Sequence, residues 1–277
     1  MEDWTDRGST LPEPGVIPEA RPAGIGPPIA MFARPATGNP LIIPQSRRGA
    51  LIDLIVVLGA ALGLLVAKDL LLMALPLHGY EAQRELAPFT VALTGFLIGL
   101  LVLGTARSRG LPLLTLGLDG RRWLADAGIG VAVAGGILGL LAAGSIYVQI
   151  FFPDLLPVLQ ESQESIVENL PQMDMFTILG LTALVAVYEE LLFRGFLLTR
   201  LRTVTGSWWM AVLLGMVSFG LLHAYEGPVA IVVIMLLAGI FSLVFLWRRS
   251  LVAPVVAHFV FNAIQLWMVQ VYYELQP

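Results

Sequence analysis

Apolar stretches of about 20 residues recur from Ala50 onward, over residues 50–75, 87–106, 124–152, 174–200, 207–223, 228–247 and 251–273. Each is long enough to cross a hydrocarbon core about 30 Å thick as a helix. They are apolar on every side and rich in Leu, Ala and Gly, whereas strands of a membrane barrel alternate apolar with polar residues over segments of about ten. The pattern predicts an all-α, polytopic bundle of about seven transmembrane helices, with the third and fourth long enough to tilt or project. Residues 1–46 break the pattern. They combine many Pro and Gly with scattered charge and read as a disordered cytoplasmic tail, leaving 47–277 as the transmembrane domain. The tail lacks the continuous apolar core of a cleaved signal peptide, so the first helix, after Arg47 and Arg48, is expected to stay as an anchor.

Composition sharpens this reading. Of 277 residues 57% are hydrophobic and 13% charged, with a mean hydropathy of +0.82. A soluble domain carries roughly 25% charge, so a soluble enzyme is excluded. The chain has no Cys, which removes disulfides, thiolate metal sites and a cysteine nucleophile. The net charge of −4 matters less than where the charges fall. Arg47 and Arg48, then Arg107, Arg109, Arg121 and Arg122, then Arg200 and Arg202, then Arg248 and Arg249 occupy alternate connections. The 153–174 connection holds Asp154, Glu161, Glu164 and Glu168 without Lys or Arg, and the turn at Glu226 and Gly227 also lacks them. By the positive-inside rule the N-terminus is cytoplasmic and, after seven spans, the C-terminus is external. The expected setting is the cell membrane, with the lipid bilayer as surroundings and no nucleic acid as partner.

Ionisable residues within the hydrocarbon region cost several kcal/mol each and mark candidate sites. Structural readings suffice for Asp53, Asp126 and the adjacent Lys68 and Asp69, as interfacial or snorkelling charges. The fourth span differs, because Glu189, Glu190 and Arg194 lie inside one apolar helix. Glu190 and Arg194 are spaced i and i+4, so they share a face and can pair. Glu189 is rotated by about 100° and need not be neutralised by that arginine. One carboxylate can then anchor the ion pair while the other serves as a general base.

Of the three histidines, His78 lies in a polar loop, His223 ends the fifth span with Phe219 four residues earlier, and His258 lies in the seventh with Asn262 one turn later. Two histidines and a glutamate can bind zinc, or a histidine and a glutamate can activate water directly while Asn donates to an oxyanion. The spacing leaves both open. The H-E-x-x-H zinc signature is absent, and Ser218 lacks a glycine at the nucleophile-elbow position.

Glu189-Glu190-Leu191-Leu192-Phe193-Arg194, Phe219-Gly220-Leu221-Leu222-His223 and His258-Phe259-Val260-Phe261-Asn262 follow in order on three spans. Together they resemble the E-E-x-x-x-R, F-x-x-x-H and H-x-x-x-N motifs of the CAAX prenyl protease and bacteriocin-processing intramembrane proteases, also called CPBP or Abi proteins. The resemblance covers about 174–273 and implies an endopeptidase acting on a membrane protein or peptide. It implies that Glu189 and His223 activate water, that His258 and Asn262 stabilise the oxyanion, and that Glu190, Arg194 and Phe219 support the site. The family is often described as metalloproteases, although the glutamate mechanism requires no metal. The cofactor stays open: zinc held by Glu189, His223 and His258, or none. Neither the substrate nor its prenylation follows from the sequence. The alternative is a non-proteolytic membrane protein of the same fold, in an immunity or scaffold role or as a proton-coupled transporter. No internal repeat of the transporter kind is present.

One expectation conflicts with straight helices. At about 1.5 Å per residue from the cytoplasmic loops, Glu189 lies roughly 17–20 Å deep, His223 ~24 Å and His258 only ~10 Å. Convergence therefore requires tilted or offset helices, with the seventh span entering late after Pro254.

Overall fold

The computed structural model describes residues 38–74, 80–157 and 170–275. His78, most of the acidic 153–174 connection and the tail through residue 37 lie outside the described residues. Every apolar stretch named above is a helix: α1 Arg47–Ala74, α2 Tyr80–Ser108, α3 Trp123–Phe151, α4 Met175–Thr205, α5 Trp208–Leu222, α6 Pro228–Arg248 and α7 Val252–Leu275. No strand occurs among the described residues. Six of the helices are long and apolar enough to span a membrane. Their outward faces present Ile55, Leu70, Phe89 and Leu140, each at least 60% exposed, as lipid-facing surface. The chain is an integral, multi-pass membrane protein.

The exception is α5, whose 15 residues rise about 22 Å and fall short of the core thickness. A 3₁₀ turn over Ala224–Glu226 continues it toward the start of α6. Two residues of the segment expected as tail pack on the helices. Leu41 and Ile43 are buried in the main apolar cluster, because even a Pro-rich segment gains by covering apolar surface beside the helices.

The bundle is built around α4 and α7. Helix α4 lies between α2 and α7, while α7 also packs on α3 and α6; α5 and α6 form a hairpin, and α1 lies against α2 and the last turns of α4. Local signals place α4: the Asp174 carboxylate caps its first turn by accepting from the backbone N–H groups of Phe176 (2.8 Å) and Thr177 (3.0 Å). Gly206, at φ 76°, reverses the chain into α5. Contact between α3 and α7 needs Gly130, where a Cβ would fall 2.6 Å from the Ala253 carbonyl oxygen. The buried outlying carboxylates are ties between helices. Asp53 of α1 pairs with Arg109 (2.6 Å) and accepts from Gln45 (2.8 Å), and Asp126 of α3 pairs with Arg248 of α6 (2.7 Å). Lys68 and Asp69 pair with each other (2.5 Å).

Candidate active site

Helix α4 changes character where its charges lie. It is α-helical through Glu190, π-helical over Leu191–Leu198, and α-helical again from Thr199. All eight residues of the π segment are buried. A π turn wraps more residues per turn than an α turn, and such segments are frequent at functional sites. Glu190 and Arg194 straddle this change and still pair as their spacing predicts, with Arg194 Nη1 donating to Glu190 Oε1 at 2.8 Å.

That pair is enclosed. Glu190 is 0% and Arg194 1% exposed, and Arg194 Nη2 donates to the Ala238 carbonyl of α6 (3.1 Å). The guanidinium carbon lies 4.9 Å from the centre of the Phe219 ring and 5.5 Å from that of Phe241, so α5 and α6 each supply an aromatic face to the cation. From α7, His258 Nδ1 lies 2.9 Å from the same Glu190 Oε1. Nδ1–H donates to the carboxylate, which leaves Nε2 facing away from it. Phe241 stacks on the His258 ring at 5.5 Å.

Nε2 of His258 faces the second carboxylate. It stands 3.8 Å from Glu189 Oε2, a buried oxygen without a hydrogen-bond partner among the described residues, while Glu189 Oε1 accepts from the Tyr188 hydroxyl (3.1 Å). His223 caps the end of α5 and donates from Nδ1 to the Phe219 carbonyl (2.9 Å), which leaves its Nε2 as the basic nitrogen. The Phe219 ring lies 4.8 Å from the His223 ring and 6.4 Å from that of His258, and so stands beside both histidines. Asn262 sits one turn beyond His258 on α7, half-buried. On the turn after α5, burial pushes the Glu226 carboxyl above the usual carboxylate range, while the nearby His223 pulls it the other way.

The depth conflict disappears for two structural reasons. Glu189 and His223 lie equally far along the chain before and after the Gly206 turn, so the α4–α5 hairpin sets them at one level. For His258, the α6–α7 turn is largely covered, with Arg249 exposed but the residues after it enclosed. Ser250 and Leu251 are buried, and the Leu251 N–H donates to the Gly117 carbonyl (2.9 Å) of the α2–α3 connection, which folds under the turn. Helix α7 does not enter late: it begins at Val252 and holds Pro254 in its first turn, where proline removes no helical hydrogen bond.

The residues fit a metal poorly. Among the described residues no three His, Asp or Glu side chains are grouped to hold an ion. Of the zinc set left open by the sequence, His223 and His258 each donate from Nδ1 within the protein and keep Nε2, as histidine ligands do, but the Phe219 ring stands beside both and the three side chains are not grouped. Ser218 is exposed and donates to the Leu214 carbonyl (2.8 Å), an ordinary helical contact that gives it no base. Two residues in contact with the site carry no motif signal. Phe241 is indistinguishable in sequence from any lipid-facing aromatic, whereas Tyr188 could have been noticed as the hydroxyl adjoining the glutamate pair.

Searches among curated proteins and solved structures return no match to this chain. A family profile does match: residues 171–264 correspond to the family described as Type II CAAX prenyl endopeptidase Rce1-like. The matched segment contains Glu189, Glu190, Arg194, Phe219, His223, His258 and Asn262, so the motif resemblance and the profile agree that this C-terminal part of the chain is similar to the Rce1-like family.

Proposed function

We propose that the protein is an intramembrane endopeptidase that hydrolyses a peptide bond of a membrane-associated protein or peptide. The observation that carries this reading is the Glu189 carboxylate, buried with one oxygen unpartnered and 3.8 Å from a histidine nitrogen. Its neighbour Glu190 is already neutralised by Arg194. In the reaction Glu189, assisted by His223 through Nε2, accepts a proton from water as the water oxygen bonds to the scissile carbonyl carbon. The resulting oxyanion accepts from the Asn262 amide and from Nε2–H of His258 in its doubly protonated form, whose Nδ1–H stays on Glu190. Collapse breaks the C–N bond, and the proton held by Glu189 passes to the departing amine.

The family description points to a prenylated CAAX tail as the first substrate class to test. Purified protein in liposomes should cleave a farnesylated CAAX peptide, and Glu189→Gln, which keeps size and hydrogen bonding, should fold, insert and leave the peptide intact. Full cleavage by that variant would remove Glu189 as the base, and if it also preserved every cellular phenotype a scaffold role would replace the peptidase. The alternating arginine-rich connections support a cytoplasmic N-terminus, and reporter fusions after Arg249 should read cytoplasmic.

A further inference from the structure

Tyr188 stands immediately before the glutamate pair, outside all three motifs. Its hydroxyl donates to Glu189 Oε1 at 3.1 Å. Its ring lies flat against α2 at Gly95, where a Cβ would fall 2.2 Å from Tyr188 Cδ1 and 2.3 Å from Cε1. Real Cβ atoms do not approach so closely, so any larger residue at 95 would push the ring aside. The two carboxylates of the pair are held very differently. Glu190 is gripped by Arg194 and His258, whereas among the described residues the side chain of Glu189 receives a hydrogen bond from Tyr188 alone. A glutamate side chain has three rotatable bonds, and a carboxylate free to turn spends little time with either oxygen aimed at a fixed neighbour. The hydroxyl-to-carboxylate bond is charge-assisted and strong enough to select one orientation.

We propose that Tyr188, seated in the notch left by Gly95, is the positioning residue for Glu189: it holds Oε1 so that Oε2 faces His258 Nε2. This rests on the reading of Glu189 as the base. A second consequence concerns α2, which bears no motif residue yet sets the geometry of the base through a single glycine.

The experiment uses the full chain in liposomes and two readouts. Dicyclohexylcarbodiimide, a membrane-permeant carboxyl reagent, is followed by mass spectrometry at Glu189, which needs no substrate. Tyr188→Phe keeps the ring and removes the hydroxyl, and Gly95→Ala keeps the hydroxyl and displaces the ring. Both should raise the Glu189 labelling rate several-fold, with Tyr188→Phe keeping the wild-type thermal midpoint. On the farnesylated peptide, Tyr188→Phe should lower kcat about tenfold or more with KM unchanged, the effect of losing one hydrogen bond to a charged group. Added to Glu189→Gln it should change nothing further. Wild-type labelling of Glu189 in Tyr188→Phe would overturn the proposal whatever the turnover. Altered labelling together with full cleavage by Glu189→Gln would instead overturn the base assignment and leave the contact standing.

Discussion

At the residue scale, the two adjacent glutamates are held differently, and their environments predict different stability responses to the same substitution. Glu190→Gln keeps an amide oxygen but removes the negative charge, which leaves Arg194 as an uncompensated charge in the bundle and weakens the bonds that Arg194 and His258 both make to Oε1. Breaking a fully buried pair of this kind costs about 3–5 kcal/mol. Thermal unfolding in detergent should therefore show a marked drop for Glu190→Gln and little change for Glu189→Gln, while both lose turnover. Equal midpoints for the two would mean that the Arg194 pair does not support the fold. The pairing of Glu190 with Arg194 was legible in the sequence because both residues lie on one helix at a spacing that fixes their separation. The bond from His258 to Glu190 was not, because it joins residues 68 positions apart on different helices. The motif resemblance named His258 without saying which carboxylate it would face.

At the element scale, hydropathy located all seven helices, since length and apolarity are local properties, but missed the start of α2 by seven residues, where the polar run from Tyr80 is helical as well. It could not show the π segment, which has no compositional signature, nor the burial of the α6–α7 turn under the α2–α3 connection, which depends on packing between distant segments. Counting depth from the loops failed for the same reason: it assumed that every turn marks the membrane surface. The start of α4 offers a test in solvent. The Thr177 hydroxyl and backbone N–H hold the Asp174 carboxyl below the usual carboxylate range. A carboxyl depressed on folding stabilises the fold above its unfolded pKa and loses that contribution as pH falls through the folded value. Asp174→Ala should thus lower the unfolding midpoint at neutral pH, and the gap to wild type should close in strong acid. A gap that persists there would show that the cap is not the source of the difference.

For the whole molecule, the ties from Asp53 to Arg109 and from Asp126 to Arg248 brace the bundle around α4 and α7, and the motif side chains gather where four helices meet. Because no three ligands are grouped there among the described residues, the proposed cleavage should be indifferent to a strong chelator. Loss of activity that zinc restores would overturn the direct glutamate and histidine mechanism. The enclosed charges on α4 also bear on how the chain is made. A charged side chain near a helix centre raises the free energy of insertion by about 2.5–3.5 kcal/mol, and α4 carries three ionisable groups there. The groups that complete their neutralisation, the Ala238 carbonyl and His258, belong to helices that leave the ribosome only later. Helix α4 should therefore commit to the bilayer late in synthesis, after α6 and α7 have arrived. A glycosylation-mapped chain truncated after Gly206 should insert α4 incompletely, the full chain should insert it fully, and leucines at 189, 190 and 194 should restore insertion of the short form, so that the residues proposed for hydrolysis are also the ones that delay the membrane's acceptance of this helix.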